Sequence, residues 1–156
     1  MRMRFYLLLI PYVILSSCVQ TKQNEVSGIE VFLEDYYRIM SDRDWVKYKT
    51  FFIDNASLTT IWQTESDSVP GIFSVSIDEF IDQTPQGPDS QPIFEERMIS
   101  HEITVKGNLA QAWVKYEAKF GMDENLMQWK GYDHFSLIRF KDEWRIVSIV
   151  YESIEK

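Results

Sequence analysis

The stretch Leu109-Ala110-Gln111-Ala112-Trp113-Val114-Lys115-Tyr116-Glu117-Ala118-Lys119-Phe120 alternates without a break. Ala110, Ala112, Val114, Tyr116, Ala118 and Phe120 share one side; Gln111, Trp113, Lys115, Glu117 and Lys119 share the other. A period of two over this length predicts a strand with one covered and one open face, as in an antiparallel sheet. Turn chemistry brackets it. Lys106-Gly107-Asn108 precedes it and Asp123-Glu124-Asn125 follows. Beyond those turns, residues 94–105, 128–140 and 144–152 read as further strands, the last two joined at Lys141-Asp142-Glu143. Together they predict a four-stranded antiparallel meander.

Upstream, the period changes from two to that of a helix. Ser27-Gly28-Ile29-Glu30 has the form of a capping box, and Ile29, Phe32, Leu33, Tyr36 and Met40 recur at helical spacing. Ser41-Asp42-Arg43-Asp44 breaks this helix and caps a second, which carries Trp45, Tyr48 and Phe52. Residues 56–63 read as a strand, Ser76-Ile77-Asp78-Glu79 as a second capping box, and the proline-rich residues 84–92 as a loop. Helices followed by a twisted sheet predict an α+β domain, with the helices packed in the concavity of a strongly curved, mostly antiparallel sheet.

The 156 residues suffice for one ordinary core. Formal charge is -8, from 16 basic and 24 acidic side chains. Such a surface repels phosphate backbones, so nucleic acid is not an expected partner. One cysteine excludes an intrachain disulfide.

That cysteine follows Arg2 and Arg4, an apolar run over residues 5–15, and Leu15-Ser16-Ser17. Eleven or so apolar residues are too few to span a bilayer, which takes about twenty, but suit a secretory leader. Leu15-Ser16-Ser17-Cys18 resembles the bacterial lipobox, which implies cleavage before Cys18 and lipid on its sulfur. On this reading residues 1–17 are a signal peptide, 18–27 the lipidated cysteine and a polar linker, and 28–156 the domain. Loss of Arg2 and Arg4 takes the charge from -8 to -10. The expected location is the bacterial cell envelope, outside the cytoplasm, with the membrane as partner through lipid on Cys18.

Several strings in order resemble the nuclear transport factor 2-like superfamily, the cone-shaped fold that includes ketosteroid isomerases and SnoaL-like cyclases. They are the paired helices with Asp44 between them, Phe52-Ile53-Asp54-Asn55-Ala56, Gly107-Asn108-Leu109-Ala110-Gln111-Ala112-Trp113, Gly131-Tyr132-Asp133-His134-Phe135, and Trp144-Arg145-Ile146-Val147-Ser148-Ile149. The resemblance covers about residues 27–152. Ketosteroid isomerase is also a standard case of a tyrosine and a protonated acid forming an oxyanion hole beside a carboxylate base. Counted onto this chain, the tyrosine falls on Tyr36, the base on Thr60 and the acid on Ser136. A hydroxyl at position 60 does not do a carboxylate's work near neutral pH, which disfavours isomerase chemistry.

The resemblance also turns the face bearing Tyr132, His134, Ser136 and Ile138 toward the cavity. His134 is then the leading acid/base or ligand-orienting candidate, with Tyr36 as its partner. His101 lies with Ile99, Ile103 and Val105, where a lone histidine is most simply hydrogen-bonded core. Trp62, Tyr116, Ser136 and Tyr151, with His101, are the expected ligand-contacting residues. Two histidines without a third ligand make no metal site, and no phosphate loop or nucleophile elbow is present. No cofactor is expected.

Three functions follow. The first is a binding module holding a small apolar or amphipathic molecule. The second is a SnoaL-like or isomerase-like enzyme using His134 and Tyr36. The third is an interaction module, such as a homodimer, paired through the outer sheet face that carries Trp113, Lys115 and Glu117.

Overall fold

The computed structural model describes residues 13–62 and 68–155, with backbone only at 13–22, 62 and 155. Of the expected signal peptide, residues 1–17, the first twelve lie outside the described residues. Helix α1 (Val13–Ser41) is followed by α2 (Trp45–Lys49), β1 (Phe52–Trp62), β2 (Gly71–Ser76) and α3 (Ile77–Gln83). Two short 3-10 turns, Thr84–Gln86 and Pro88–Ser90, lead into β3 (Ile93–Lys106). The chain then runs through β4 (Leu109–Gly121), a turn at Asp123–Asn125, β5 (Met127–Phe140) and β6 (Glu143–Glu155).

The six strands form one sheet in the order β2-β1-β6-β5-β4-β3. The expected meander is present as β3 to β6, every neighbouring pair antiparallel, while β1 joins β6 in parallel. Lys141 and Asp142 both take positive φ, as a two-residue hairpin turn of primed type requires. Register shifts occur between Phe52 and Ser57, between Met98 and Ser100, and between Ser136 and Leu137. Such irregularities bend a strand and add twist, which lets the sheet curl around α1.

Helix α1 starts earlier than its capping-box sequence predicts. It runs unbroken through Ser27 and Gly28. The expected linker, residues 18–27, is helical in backbone, and its last part already belongs to the folded body. Glu25 pairs with Arg139 on β5 at 2.7 Å, and Val26 packs against the core. The second capping box does start a helix: Ser76 accepts from the Glu79 amide, and Glu79 accepts from the Ser76 amide. No described helix is long and apolar enough to cross a membrane.

The core lies between α1 and the concave sheet face. Ile29, Leu33, Tyr36, Tyr37 and Met40 of α1 are buried against Ala112, Val114, Phe135, Ile146 and Ile149. Tyr36 stacks edge-on to Phe135 at 5.2 Å between ring centroids, and Tyr48 meets Phe52 at 5.2 Å. Pairs of this kind add about 0.5–1.5 kcal/mol beyond their buried area, so this aromatic cluster fixes where the helix sits.

Candidate functional site

Toward one end the helices and sheet part, leaving a cavity of about 590 Å³. Its walls are mostly apolar: Met40 and Tyr36 from α1, Leu58 from β1, Phe94 from β3, Phe120 from β4, Trp129 from β5 and Ile149 from β6. Two carboxyls, Glu96 and Asp133, and the hydroxyls of Tyr36, Tyr48, Tyr116, Tyr151 and Ser153 interrupt this lining.

Strand register decides which side chains arrive there. Directly opposed residues in neighbouring strands share a face. Val114 of β4 opposes Asp133 of β5, which in turn opposes Tyr151 of β6. All three therefore point inward, and Asp133 is only 5% exposed. The Tyr37 hydroxyl on α1 donates to Asp133 Oδ2 at 2.5 Å. Burial pushes the Asp133 carboxyl up to about 7, although the Tyr37 hydrogen bond works in the opposite direction.

Glu96 arrives by the same logic on β3, opposite Ala118. The Ser41 hydroxyl at the end of α1 clamps its backbone, accepting from the Glu96 amide at 2.8 Å and donating to its carbonyl at 3.0 Å. Enclosure holds the Glu96 carboxyl well above the usual carboxylate range, and the neighbouring Asp133 charge adds to this. The residue is half-buried, and no hydrogen bond from another described side chain reaches its carboxyl. Glu96 also borders a shallower hollow lined by Arg38, Ser41 and Arg97.

The tyrosines form a hydroxyl layer. Tyr36 and Tyr48 share a hydrogen bond of 2.9 Å, and both phenols are held above their ordinary range, chiefly by burial. Tyr116 lies across Gly131, where an added Cβ would come within 2.5 Å of its hydroxyl. Its phenol, pushed up to about 12 chiefly by burial, sits 3.5 Å from the Ser153 hydroxyl. Glycine at 131 is thus what admits the Tyr116 ring to the wall.

Of the expected residues, Tyr36, Tyr116 and Tyr151 line this cavity. The side chain of Trp62 lies outside the described residues. His101 faces inward opposite Val114 but is not part of the cavity wall. His134 and Ser136 are corrections. Both lie on the outer sheet face, because Phe135 and Leu137 on either side of Ser136 take the inward positions, 0% and 2% exposed. His134 opposes Trp113, and their rings stand 4.6 Å apart. An acid/base role for His134 inside the cavity is excluded by this placement.

The two carboxyls were the residues that sequence reasoning missed. For Asp133 the signal was present: parity with Phe135 and Leu137 places it inward. For Glu96 it was hidden. Counting back from Val105 keeps odd positions inward, but the shift between Met98 and Ser100 brings Phe94, Glu96 and Met98 to the inner face. Among the described residues no group of three metal-ligating side chains occurs.

A helix lying across a curled six-stranded sheet, with a cavity at one end, defines a protein of the nuclear transport factor 2-like class. Residues 24–152 match the family described as "Putative lumazine-binding", and the chain belongs to it. No curated protein sequence matches the chain. Among solved structures it resembles an NTF2-like protein with a cystatin-like fold from Novosphingobium aromaticivorans, at 12% identity and TM-score 0.68, over 94% of this chain and 92% of that one. An NTF-2 like protein of unknown function from Silicibacter pomeroyi aligns at 20% identity and TM-score 0.60, over 85% and 98% of the two chains. A "Putative Scytalone Dehydratase" from Novosphingobium aromaticivorans aligns at 11% identity and TM-score 0.71, over 87% and 88%. Likeness at such identities shows the fold alone.

Proposed function

We propose that this domain binds a small, largely apolar molecule in the cavity between α1 and the sheet. The observation that carries this reading is the cavity itself: about 590 Å³, walled by aromatic and aliphatic side chains, with a few inward polar groups. That volume and mixture are typical of small-molecule sites. The family's description, which names lumazine, supports a ring-bearing occupant, since a flat ring suits walls made of Tyr116, Trp129 and Phe94. The test is titration of the purified domain with the neutral dye N-phenyl-1-naphthylamine. Binding at the cavity gives a saturable, one-to-one rise in fluorescence that Leu58→Trp abolishes. A rise that never saturates, or that survives in the variant, contradicts it.

The same proposal places the domain at the cell envelope, tethered by lipid on Cys18. Support comes from the sequence: an apolar leader followed by Leu15-Ser16-Ser17-Cys18. Two or more acyl chains give firm attachment where one is marginal. A domain of strongly negative charge has no electrostatic reason of its own to stay at an anionic membrane.

A second reading concerns the outer face. Trp113 is 50% exposed and Val150 51%, and His134 lies between them in the strand register. Pairing of two copies through this face would cover them. Sedimentation of the domain and of Trp113→Glu distinguishes a dimer from a monomer.

A further inference from the structure

The sheet sorts charge by face. On β3, Glu95 and Arg97 point outward and are matched there, Lys119 meeting Glu95 at 3.1 Å and Arg97 pairing with Glu117. Arg38, the nearest cation on α1, is held by Asp35 at 2.7 Å and Asp42 at 3.3 Å. Glu96, between the two matched residues, points inward and has no ion-pair partner among the described residues. Among the described residues, the wall of the cavity that Glu96 and Asp133 share has no lysine, arginine or histidine.

Glu96 is half-buried, and a carboxyl facing a mostly apolar cavity with no partner among the described residues is costly to leave charged. The second carboxyl increases that cost, because Asp133 and Glu96 repel one another when both are ionised. A cation placed between them removes both penalties at once. The surrounding rings add to this, since the faces of Tyr116, Trp129 and Tyr151 attract positive charge more strongly out of water. An anion, by contrast, would enter a site already negative, in a protein of formal charge -8. A neutral molecule would gain contact with the walls but leave the carboxyls as they are.

We infer that the cavity selects a monocationic amphipath: an amine, protonated or quaternary, on a flat apolar body. Its charge lies between the Glu96 and Asp133 carboxyls, and its body lies against Tyr116, Trp129 and Tyr151. This inference rests on the small-molecule reading above and adds the class of ligand to it.

The pH dependence has a definite sign. Asp133 is faced by Tyr36 and Tyr37 from α1, Tyr48 from α2, Glu96 from β3, Tyr116 from β4 and Tyr151 from β6. The five tyrosines are all raised above their ordinary range, chiefly by burial, and stay neutral through the physiological window. The Asp133 carboxyl, at about 7, titrates there, and the Glu96 carboxyl beside it is raised above the usual carboxylate range. Ionisation creates the charge that a cation meets, so affinity for a permanent cation rises as pH passes through about 7.

The experiment compares three probes sharing one naphthalene body: (2-naphthylmethyl)trimethylammonium, 2-naphthalenemethanol and 2-naphthoate. Binding is read from quenching of protein fluorescence at about pH 6 and about pH 8. The expected result at the higher pH is cation affinity at least about tenfold above that of the alcohol, and weaker binding still for the carboxylate. Cation affinity should rise about fivefold or more between the two pH values while alcohol binding stays level. Glu96→Gln should remove most of the preference. Equal binding of cation and alcohol, or a level pH response for the cation in the unmodified chain, overturns the inference. If the neutral dye N-phenyl-1-naphthylamine still saturates the cavity, the binding reading survives that failure. If neither the dye nor any of the three probes binds, both fall together.

Discussion

Tyr37 on α1 and Asp133 on β5, 96 residues apart in sequence, meet in a 2.5 Å hydrogen bond at the base of the cavity. The bond ties the helix to the middle of the sheet. It also provides the one hydrogen bond that a buried carboxyl receives from the described residues. Burial raises the Asp133 pKa and Tyr37 lowers it, and burial prevails, leaving it at about 7 against an ordinary value of 3.8.

The first consequence concerns stability. A carboxyl raised by folding contributes stability that is fully present below its unfolded value and is lost as pH climbs through the folded one. From these two values, the contribution falls between about pH 4 and about pH 7, by roughly 4 kcal/mol at most. Asp133→Asn keeps an oxygen for Tyr37 and removes the titration. Thermal unfolding across this range should show the unmodified domain losing ground to the variant as pH rises, by several degrees near pH 8. Parallel curves would show that Asp133 does not titrate in the window.

Tyr37→Phe should act in the opposite sense at high pH. Without the donor, the Asp133 carboxylate is left buried and unmatched, at a cost of about 1–3 kcal/mol. The loss should be larger near pH 8 than near pH 5, where the acid is neutral. Denaturant melts at the two pH values check it, and equal losses would assign Tyr37 a packing role only.

Much of the fold was legible, for reasons that particular residues make clear. The unbroken alternation of residues 109–120 fixed β4 and its inward set, and the spacing of Ile29, Leu33, Tyr36 and Met40 fixed the buried side of α1. Strand β2 was not read, because its Ile72 and Phe73 are 77% and 53% exposed on a sheet edge and follow no alternation. The part of α1 before Ile29 is not legible as helix because residues 23–28 are mostly polar and carry no apolar stripe. Counting from the resemblance points to the opposite face of β5 from the one that lies inward. The alternation of Phe135 and Leu137 points the right way and puts an aspartate, Asp133, on the buried face. What makes that aspartate acceptable is Tyr37, and contact across 96 residues leaves no local trace.

Gly131 offers a test of the cavity wall. A methyl group there would meet the Glu152 carbonyl and come within 2.5 Å of the Tyr116 hydroxyl. Gly131→Ala should therefore cost about 1–3 kcal/mol and weaken dye binding by displacing the Tyr116 ring. Gly131→Ala in a Tyr116→Phe background should recover little, because the backbone clash remains. Unchanged melting of the single variant would show that the strand can move aside.

The proposed envelope location rests on Cys18. In a bacterial host, Cys18→Ser should move the folded domain from the membrane fraction to the soluble one and abolish labelling by radioactive palmitate. Continued membrane association without label would contradict a lipid tether.

The central claim is that the cavity is occupied in use. Native mass spectrometry of the domain, purified from its own host without organic solvent, tests it most directly. The account predicts a one-to-one small-molecule adduct on the unmodified protein that Leu58→Trp lacks and that collisional activation releases as a cation. Protein that carries no adduct, or an adduct equally abundant on the filled-cavity variant, would contradict it.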